Sequence, residues 1–197
     1  MTEMEKFYLE EPNIERKKEA IEYINEFYKY NSNINGTGSL HRYLDNYENW
    51  LIKLEEDSKR IPSEEAVPAK TYFLIRKSDN KIVGMTNIRF ALNEELKIHG
   101  GHIGYSIRPT ERRKGYNKIN LYLALMKCQE YKIKEVLMTC DKTNIASAKT
   151  MQALGATLIK EHYDNSLKET FQYYKIDVNK AIKTYKEIYN IHIMRRE

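Results

Sequence analysis

A cluster of basic residues around a glycine is the clearest chemical feature of this sequence. The stretch from Arg108 to Lys118, RPTERRKGYNK, carries five basic residues and one acid. It lies where an alternating pattern that predicts a strand gives way to a periodic pattern that predicts a helix. A glycine, free backbone N–H groups, a helix dipole and cationic side chains at such a junction suit a pyrophosphate. The segment therefore predicts an anion site, with a solvated basic turn as the alternative.

The elements around this loop follow from apolar periodicity. Residues 103–107 alternate between apolar and small or polar types, which predicts a half-buried strand that ends near Pro109. Residues 119–126 carry apolar side chains at helical spacing and predict the helix after the loop. The sequence then predicts, in order, a strand over KEVLMTC, a short helix from Asn144 to Leu154 that ends at Gly155, and a final strand pair over ATLIKEHY and ETFQYYKIDV.

The N-terminal part of the chain predicts two helices followed by a hairpin. Helical spacing predicts the first helix, along a stripe formed by Ile14, Ile21, Ile24 and Tyr28. Ser39 is the predicted cap of a second helix, whose apolar stripe is Leu40, Tyr43, Leu44, Tyr47, Leu51 and Leu54. The hairpin covers TYFLIRK and KIVGMTNIRF, and a polar loop is predicted over residues 93–97.

These elements predict the α/β class (α+β), with a mixed, mostly antiparallel central sheet flanked by helices and a C-terminal helical extension. We expect one domain over residues 1–197, since 197 residues suit a single core. Within it the predicted N-terminal helices cover residues 13–61, the core about 70–178 and the C-terminal helix 179–196.

Composition excludes several classes of protein. A hydrophobic fraction of 41% excludes wholesale disorder, and no run of about 18 apolar residues predicts a membrane span. The N-terminal residues include acids and no apolar stretch typical of a secretion signal, so we expect a cytoplasmic protein. Cys128 and Cys140 stand apart without a CxxC motif, and no Cys/His cluster predicts a metal site. A net charge of +5 is too small to identify a nucleic-acid binder.

The order of these motifs resembles the core of the GCN5-related N-acetyltransferase (GNAT) superfamily. The matching elements are Ile107-Arg108-Pro109, Arg112-x-x-Gly115-x-Asn117, Asn144 and Leu154-Gly155-Ala156. The resemblance covers Tyr72 to Asp177 and is strongest over roughly fifty residues from Gly101, where several elements coincide.

The resemblance implies an acetyl-CoA-dependent N-acetyltransferase without a metal. Backbone groups of the strand would pair with pantetheine, and backbone N–H groups from Arg113 to Lys118 would bind the pyrophosphate. The implied cofactor residues are Tyr105, Ser106, Ile107, Arg112, Arg113, Lys114, Gly115, Tyr116, Asn117, Lys118, Asn144 and Ser147. The implied reaction is direct attack of a primary amine on the thioester, with a backbone oxyanion donor near Ile107.

The sequence departs from the family pattern at two positions. Asn117 replaces the usual Gly or Ala, and Met151 stands where many members have a tyrosine that protonates the thiolate. Cys140, Tyr173 and Tyr174 are the substitutes considered, although packing roles are the simpler reading. His102 is the predicted general base, since an unperturbed pKa near 6.5 suits the deprotonation of an amine, and a water chain is the alternative.

The acceptor and the competing functions stay open at this stage. An aromatic and acidic rim formed by Tyr43, Tyr47, Trp50, Tyr72 and nearby glutamates would suit a cationic small molecule or peptide, whereas a core stripe is the simpler reading. A CoA-binding regulatory module that has lost efficient catalysis is the second hypothesis, and Asn117 and Met151 favour it. Nucleic-acid binding by the basic cluster is the third, but no recognisable motif supports it. We expect no membrane partner, and a homodimer is the assembly considered.

Overall fold

The computed structural model describes residues 4–194, which contain seven strands and six α-helices. Their bounds in chain order are β1 Phe7–Glu10, α1 Lys17–Lys29, α2 Tyr47–Lys59, β2 Ala69–Arg76, β3 Lys81–Arg89, α3 Glu94–Ile98, β4 Ile103–Ile107, α4 Tyr116–Glu130, β5 Glu135–Asp141, α5 Ile145–Gln152, β6 Thr157–Asp164, β7 Glu169–Asp177 and α6 Val178–Tyr189. The predicted mixture of antiparallel strands with flanking helices is confirmed.

The strands divide into two antiparallel sheets. The first has the order β1-β2-β3-β4 and the second the order β5-β7-β6. The two sheets meet at the start of β4, where an isolated bridge pairs Gly101 with Met138 of β5. Beyond that point β4 and β5 separate, so the edge of β4 that faces β5 is left without a strand partner. The sequence predicted a single central sheet, and the structure refines that prediction.

Two hydrophobic cores lie on opposite faces of the first sheet. Tyr72 and Leu74 of β2 point into the core shared with α4, α5 and α6, while Phe73 and Ile75 point into the core beneath α1 and α2. Because both faces are covered, β2 reads as a continuous apolar run rather than an alternating one. The helices on both sides fix β4, whose end carries the basic loop.

The predictions for the two N-terminal helices need correction. The apolar face of α1 is formed by Ala20, Tyr23, Ile24 and Phe27. Of the predicted stripe, Ile14 is 46% exposed and Tyr28 54% exposed, because α1 begins only at Lys17 and its two buried rings orient the other face inward.

The predicted cap of the second helix is also wrong. Ser39 has a φ of +66° and no capping hydrogen bond, and it precedes a short 3-10 turn. Helix α2 begins at Tyr47, where the side chain of Asn46 accepts a hydrogen bond from the Asn49 N–H. The intervening turn redirects the chain before the second helix starts.

Three further elements differ from the sequence prediction. Strand β1 was not predicted, because its four residues carry no clear pattern of their own. The strand is defined by its pairing with Phe73–Arg76 of β2. Residues 94–98 form the short helix α3, which Asn93 caps, rather than a polar loop. The C-terminal helix ends at Tyr189, ahead of a 3-10 turn, and residues 195–196 of the predicted helix lie outside the described residues. The division into one domain stays a prediction.

Candidate functional site

A cleft of about 810 Å³ opens where β4 and β5 separate. Four segments line it: the segment after α1, the end of β4, the basic loop with the first residues of α4, and helix α5. Their lining residues are Asn31, Ser32, Asn33, Asn35, Tyr105, Ser106, Ile107, Glu111, Arg112, Arg113, Gly115, Tyr116, Asn117, Lys118, Asn144, Ala146, Ser147, Lys149 and Thr150. The structure thus brings together all the predicted cofactor residues except Lys114.

The basic loop presents a row of backbone donors to this cleft. Arg113 has a φ of +63° and Gly115 a φ of +83°, and α4 begins at the next residue. The backbone N–H groups of residues 113–117 have no hydrogen-bond partner among residues 4–194. A Cβ added to Gly115 would meet nothing within 4 Å, so the loop faces open space. Five free donors at the positive end of a helix form a site for an anion.

The basic side chains divide between anchors and free cations. Arg108 is buried, donates from Nε to the Ile82 carbonyl at 3.0 Å and pairs with Glu26 at 3.1 Å. Lys114 turns away from the cleft and pairs with Glu111 at 2.8 Å. Arg113 and Lys118 line the cleft, and neither makes an ion pair within the described part of the chain. These two cations are therefore available to an anionic ligand.

A buried carboxylate holds the loop from below. Glu111 is 5% exposed and accepts hydrogen bonds from Arg76 at 2.7 and 3.2 Å. Burial alone would raise the pKa of Glu111, but the hydrogen bonds from Arg76 and Lys114 outweigh it and lower the pKa. The Tyr116 ring lies against Phe7, with a centroid distance of 4.7 Å, and beneath the Arg76 guanidinium. The charged network therefore fixes the first turn of α4.

The free edge of β4 forms the inner wall of the cleft. The Arg108 N–H donates to the Val83 carbonyl of β3, and the N–H and C=O groups of successive residues alternate between the two edges of a strand. Ser106 therefore directs its backbone toward β3, whereas Tyr105 and Ile107 direct theirs toward the cleft. The prediction that all three pair with a ligand is thus restricted to two, and Ser106 instead donates from Oγ to the Asn35 carbonyl at 2.6 Å.

Polar side chains of α4, α5 and β4 meet at the inner end of the cleft. The Asn144 side chain caps α5 by accepting from the Ser147 N–H at 3.1 Å, and the Tyr105 hydroxyl lies 2.9 Å from Ser147 Oγ. Burial raises the pKa of Tyr105, so its hydroxyl stays protonated. Asn117 Nδ2 lies 3.5 Å from Thr150 Oγ1. Asn117 therefore points toward α5 and leaves the loop N–H groups uncovered.

Comparison with known proteins agrees with this geometry. Residues 9–157 match the family model described as an acetyltransferase (GNAT) domain. The chain belongs to the GNAT acetyltransferase family. No curated protein matches the sequence closely enough to add to this.

Solved structures share the GNAT fold over nearly the whole chain. The ribosomal-protein-S5-alanine acetyltransferase of Vibrio fischeri aligns with a TM-score of 0.67 and 17% identity, over 90% of this chain and 96% of that one. The microcin C7 self-immunity acetyltransferase MccE, solved with acetyl-CoA and AMP, aligns with a TM-score of 0.64 and 16% identity, over 87% and 92%. Mycobacterium smegmatis RimJ, solved with CoA-disulfide, aligns with a TM-score of 0.67 and 11% identity, over 91% and 89%.

The residues predicted for proton transfer in this GNAT chain lie outside the cleft or within the core. His102 does not line the cleft, and its Nδ1 accepts from the Leu137 N–H at 3.0 Å. Burial lowers the pKa of His102, which makes it a neutral structural acceptor. Met151, which replaces the usual tyrosine, is fully buried, and Tyr173 and Tyr174 are each only 1% exposed.

The burial of their side chains bears on two other sets of candidate residues, Cys140 and the aromatic rim. Burial raises the pKa of the Cys140 thiol to about 11, so the thiol is a weak acid beside the core. The proposed aromatic rim is a core stripe at three positions, since Tyr47, Trp50 and Tyr72 are buried. In residues 4–194 no cluster of His, Cys, Asp or Glu side chains is arranged to hold a metal, and no helix there is long and apolar enough to cross a membrane.

Several lining residues were missed by sequence reasoning. They are Asn31, Ser32, Asn33 and Asn35 before α2, Glu111 in the loop, and Ala146, Lys149 and Thr150 on α5. The α5 residues could have been predicted from the sequence, because a helix that places Ser147 in the cleft also places residues three and four positions away beside it. The asparagine-rich segment could not have been predicted from the sequence, since only the tertiary fold places it beside β4.

Proposed function

We propose that this GNAT protein is an acetyl-CoA-dependent N-acetyltransferase that transfers the acetyl group to a primary amine of a small molecule or peptide. One observation carries the proposal: five free backbone N–H groups, at residues 113–117, end a cleft that runs along the unpaired edge of β4. A pyrophosphate needs the first feature, and an extended amide-bearing arm needs the second.

The cleft offers a distinct partner for each part of acetyl-CoA. The N–H groups from Arg113 to Asn117 would hold the pyrophosphate, with Arg113 and Lys118 adding charge. Backbone groups of Tyr105 and Ile107 would pair with the pantetheine arm as an added strand does. Asn144 and Ser147 would bind it from α5. Two solved relatives of the same fold contain acetyl-CoA or CoA-disulfide, which supports this ligand class.

The reaction needs few groups from the protein. The neutral amine nitrogen attacks the thioester carbon, the carbon–sulfur bond breaks, and its electron pair leaves on sulfur, which takes up a proton. A backbone N–H of β4 near Ile107 would stabilise the oxyanion formed on the way. His102 is held by Leu137 outside the cleft, so we propose that the amine proton leaves through water rather than through His102.

Other expectations from the sequence stay proposals. Arg113, Lys118 and Lys149 line the cleft and make no ion pair among the described residues. Three cations are a small footprint for a nucleic acid, so the cleft favours a compact anionic ligand. The acceptor, the cytoplasmic location and a homodimer are still predictions. A CoA-binding module without turnover is the second candidate, and the absence of His102 and of Met151 from the cleft lining is the observation that favours it.

A transfer assay separates the two candidates. Purified protein is incubated with acetyl-CoA and a panel of amines while free thiol is followed. The panel includes spermidine and peptides with a free N-terminal alanine, acceptors for which proteins of this fold are named. Saturable thiol release with formation of the acetylated amine supports the transferase. Tight binding of acetyl-CoA without turnover on any amine supports the module instead.

A pair of matched variants ties the assay to the cleft. Arg113→Ala and Lys118→Ala remove the two cations of the basic loop that line the cleft without a side-chain partner among the described residues, and they should raise the KM for acetyl-CoA. Lys175→Ala removes a lysine of β7 that pairs with Glu135 on the surface, and we expect it to behave as wild type. Equal effects of all three substitutions would contradict the proposed phosphate site.

A further inference from the structure

The segment after α1, residues 31–36, lies across the cleft side of β4 and is held at three points. At its start, the Arg112 Nη2 donates to Ser32 Oγ at 2.7 Å. Near its end, Ser106 Oγ donates to the Asn35 carbonyl at 2.6 Å. Gly36 then packs on the backbone of Gly104, so closely that an added Cβ would lie 2.5 Å from the Gly104 oxygen. The segment therefore follows β4 from the basic loop back toward the start of the strand.

The side chains of this segment alternate. Asn31, Asn33 and Asn35 are exposed and line the cleft, whereas Ile34 between them packs against the core beneath α1 and α2. Asn31 has a φ of +45° and belongs to the turn that ends α1, whereas the alternation from Asn33 to Asn35 is typical of an extended chain with one buried side. A row of carboxamides thus faces the edge of β4, and each carboxamide can both donate and accept hydrogen bonds.

Arg112 lines the cleft, and two of its donors are directed to the end of β4 and to this segment. Its Nε donates to the Ile107 carbonyl at 3.2 Å, its Nη2 donates to Ser32, and its guanidinium lies over the Phe27 ring at 5.4 Å. These contacts join the end of β4, the segment and α1. By contrast, the neighbouring Arg113 makes no ion pair among the described residues, and its φ of +63° places it in the turn of the basic loop.

We propose that residues 31–36 form an asparagine strap that binds the pantetheine arm of the acyl-CoA through carboxamides, and that Arg112 is a positioning residue for this strap rather than a phosphate ligand. The proposal rests on the proposed function. Pantetheine carries two amides and a hydroxyl, which match the donor and acceptor groups of Asn33 and Asn35. The arm would lie between the strap on one side and α5 on the other, along the free edge of β4.

The test compares acetyl-CoA with S-acetylpantetheine, which lacks the nucleotide and the diphosphate. Binding of both ligands is measured by calorimetry for Asn33→Ala, Ser32→Ala, Arg112→Met, the Ser32→Ala/Arg112→Met double variant and the control Arg113→Ala. Asn33→Ala should weaken both ligands by the same factor, roughly 2- to 10-fold for one hydrogen bond. Arg113→Ala should weaken acetyl-CoA alone.

The Ser32 and Arg112 variants test the positioning role. Each should weaken both ligands, and the double variant should be no weaker than Arg112→Met alone, because both substitutions break one contact. A thermal melt of each variant confirms folding, and Ser32→Ala is the mild substitution that keeps the test valid if Arg112→Met unfolds.

Three results would overturn the strap. They are unchanged affinities for Asn33→Ala and Ser32→Ala, a loss for Arg112→Met that affects acetyl-CoA alone, and failure of S-acetylpantetheine to bind the wild type at millimolar concentration. Failure of the proposed function looks different, because the wild type would then release no thiol with any amine in the transfer assay, whether or not the strap variants change the affinity for acetyl-CoA.

Discussion

Glu111 gives the most direct test of how the basic loop is held. Glu111→Gln keeps the size of the side chain and removes the charge that Arg76, Lys114 and Lys81 share. Removal of one partner from a buried ion pair costs about 3–5 kcal/mol. Arg76 keeps a second partner, Asp79, at 2.6 Å, and Lys114 is 48% exposed, so we expect the low end, about 3 kcal/mol.

Urea unfolding at neutral pH measures this change in the free energy of unfolding. In a thermal melt the same loss corresponds to roughly 6–12 °C for a protein of this size. Glu130→Gln is the matched control, since Glu130 pairs with Lys127 at the surface and should leave stability unchanged. A loss below about 0.5 kcal/mol for Glu111→Gln, the range of an ordinary surface substitution, would mean that Glu111 does not hold the loop as a buried ion-pair partner.

The pH dependence of the same pair of proteins gives an independent check. The pKa of Glu111 is lower in the folded chain than its ordinary value near 4.3. Its stabilisation is therefore complete above the unfolded pKa and is lost as the pH falls through the folded pKa. The stability difference between wild type and Glu111→Gln should be constant near neutral pH and shrink below about pH 4. A difference that does not change on acidification would contradict this.

Three further predictions test the cleft and the core. Gly115→Ala places a methyl group at a φ of +83° in the open cleft; it should cost roughly 1–2 kcal/mol and weaken acetyl-CoA binding in calorimetry, and unchanged affinity would count against the loop. Asn144→Ala removes the cap from the Ser147 N–H and should lower stability by about 1 kcal/mol in a urea melt, whereas wild-type stability would contradict the capping role. Burial raises the pKa of Cys128 to about 12 and of Cys140 to about 11, so a thiol reagent at pH 8 should react slowly with the native protein and rapidly in denaturant; fast native labelling would argue against burial.

The sequence predicted the parts of the fold that depend on local pattern. The hairpin β2–β3, the helix α4 after Gly115 and the capped helix α5 all have apolar periodicity and turn residues that agree. Strand β1 has only four residues and depends on pairing with β2, so no local sequence pattern predicts it. The start of α2 was misplaced because the chain makes an extra turn before Asn46.

The candidate site was predictable as a location but not as a set of roles. Composition shows five basic residues in the loop, yet it cannot show that Glu111, which is buried against Arg76 of β2, draws Lys114 away from the cleft. In the same way, His102 has a suitable ordinary pKa, but its Nδ1 accepts a hydrogen bond from the Leu137 N–H and the side chain does not line the cleft. Roles of this kind depend on contacts between residues far apart in the chain, which periodicity does not encode.

Calorimetric titration of acetyl-CoA into the wild type and into Gly115→Glu tests whether the free N–H groups of the basic loop bind the acyl-CoA. The substitution places a carboxylate at the position where the structure leaves open space before the free N–H groups of the loop. We predict saturable binding of one acetyl-CoA per chain to the wild type and none to Gly115→Glu, whose thermal melt should be lowered only as far as that of Gly115→Ala, because both substitutions place a side chain at the same left-handed backbone conformation. Equal binding by the two proteins, or no binding by the wild type, would show that the loop is not the acyl-CoA site.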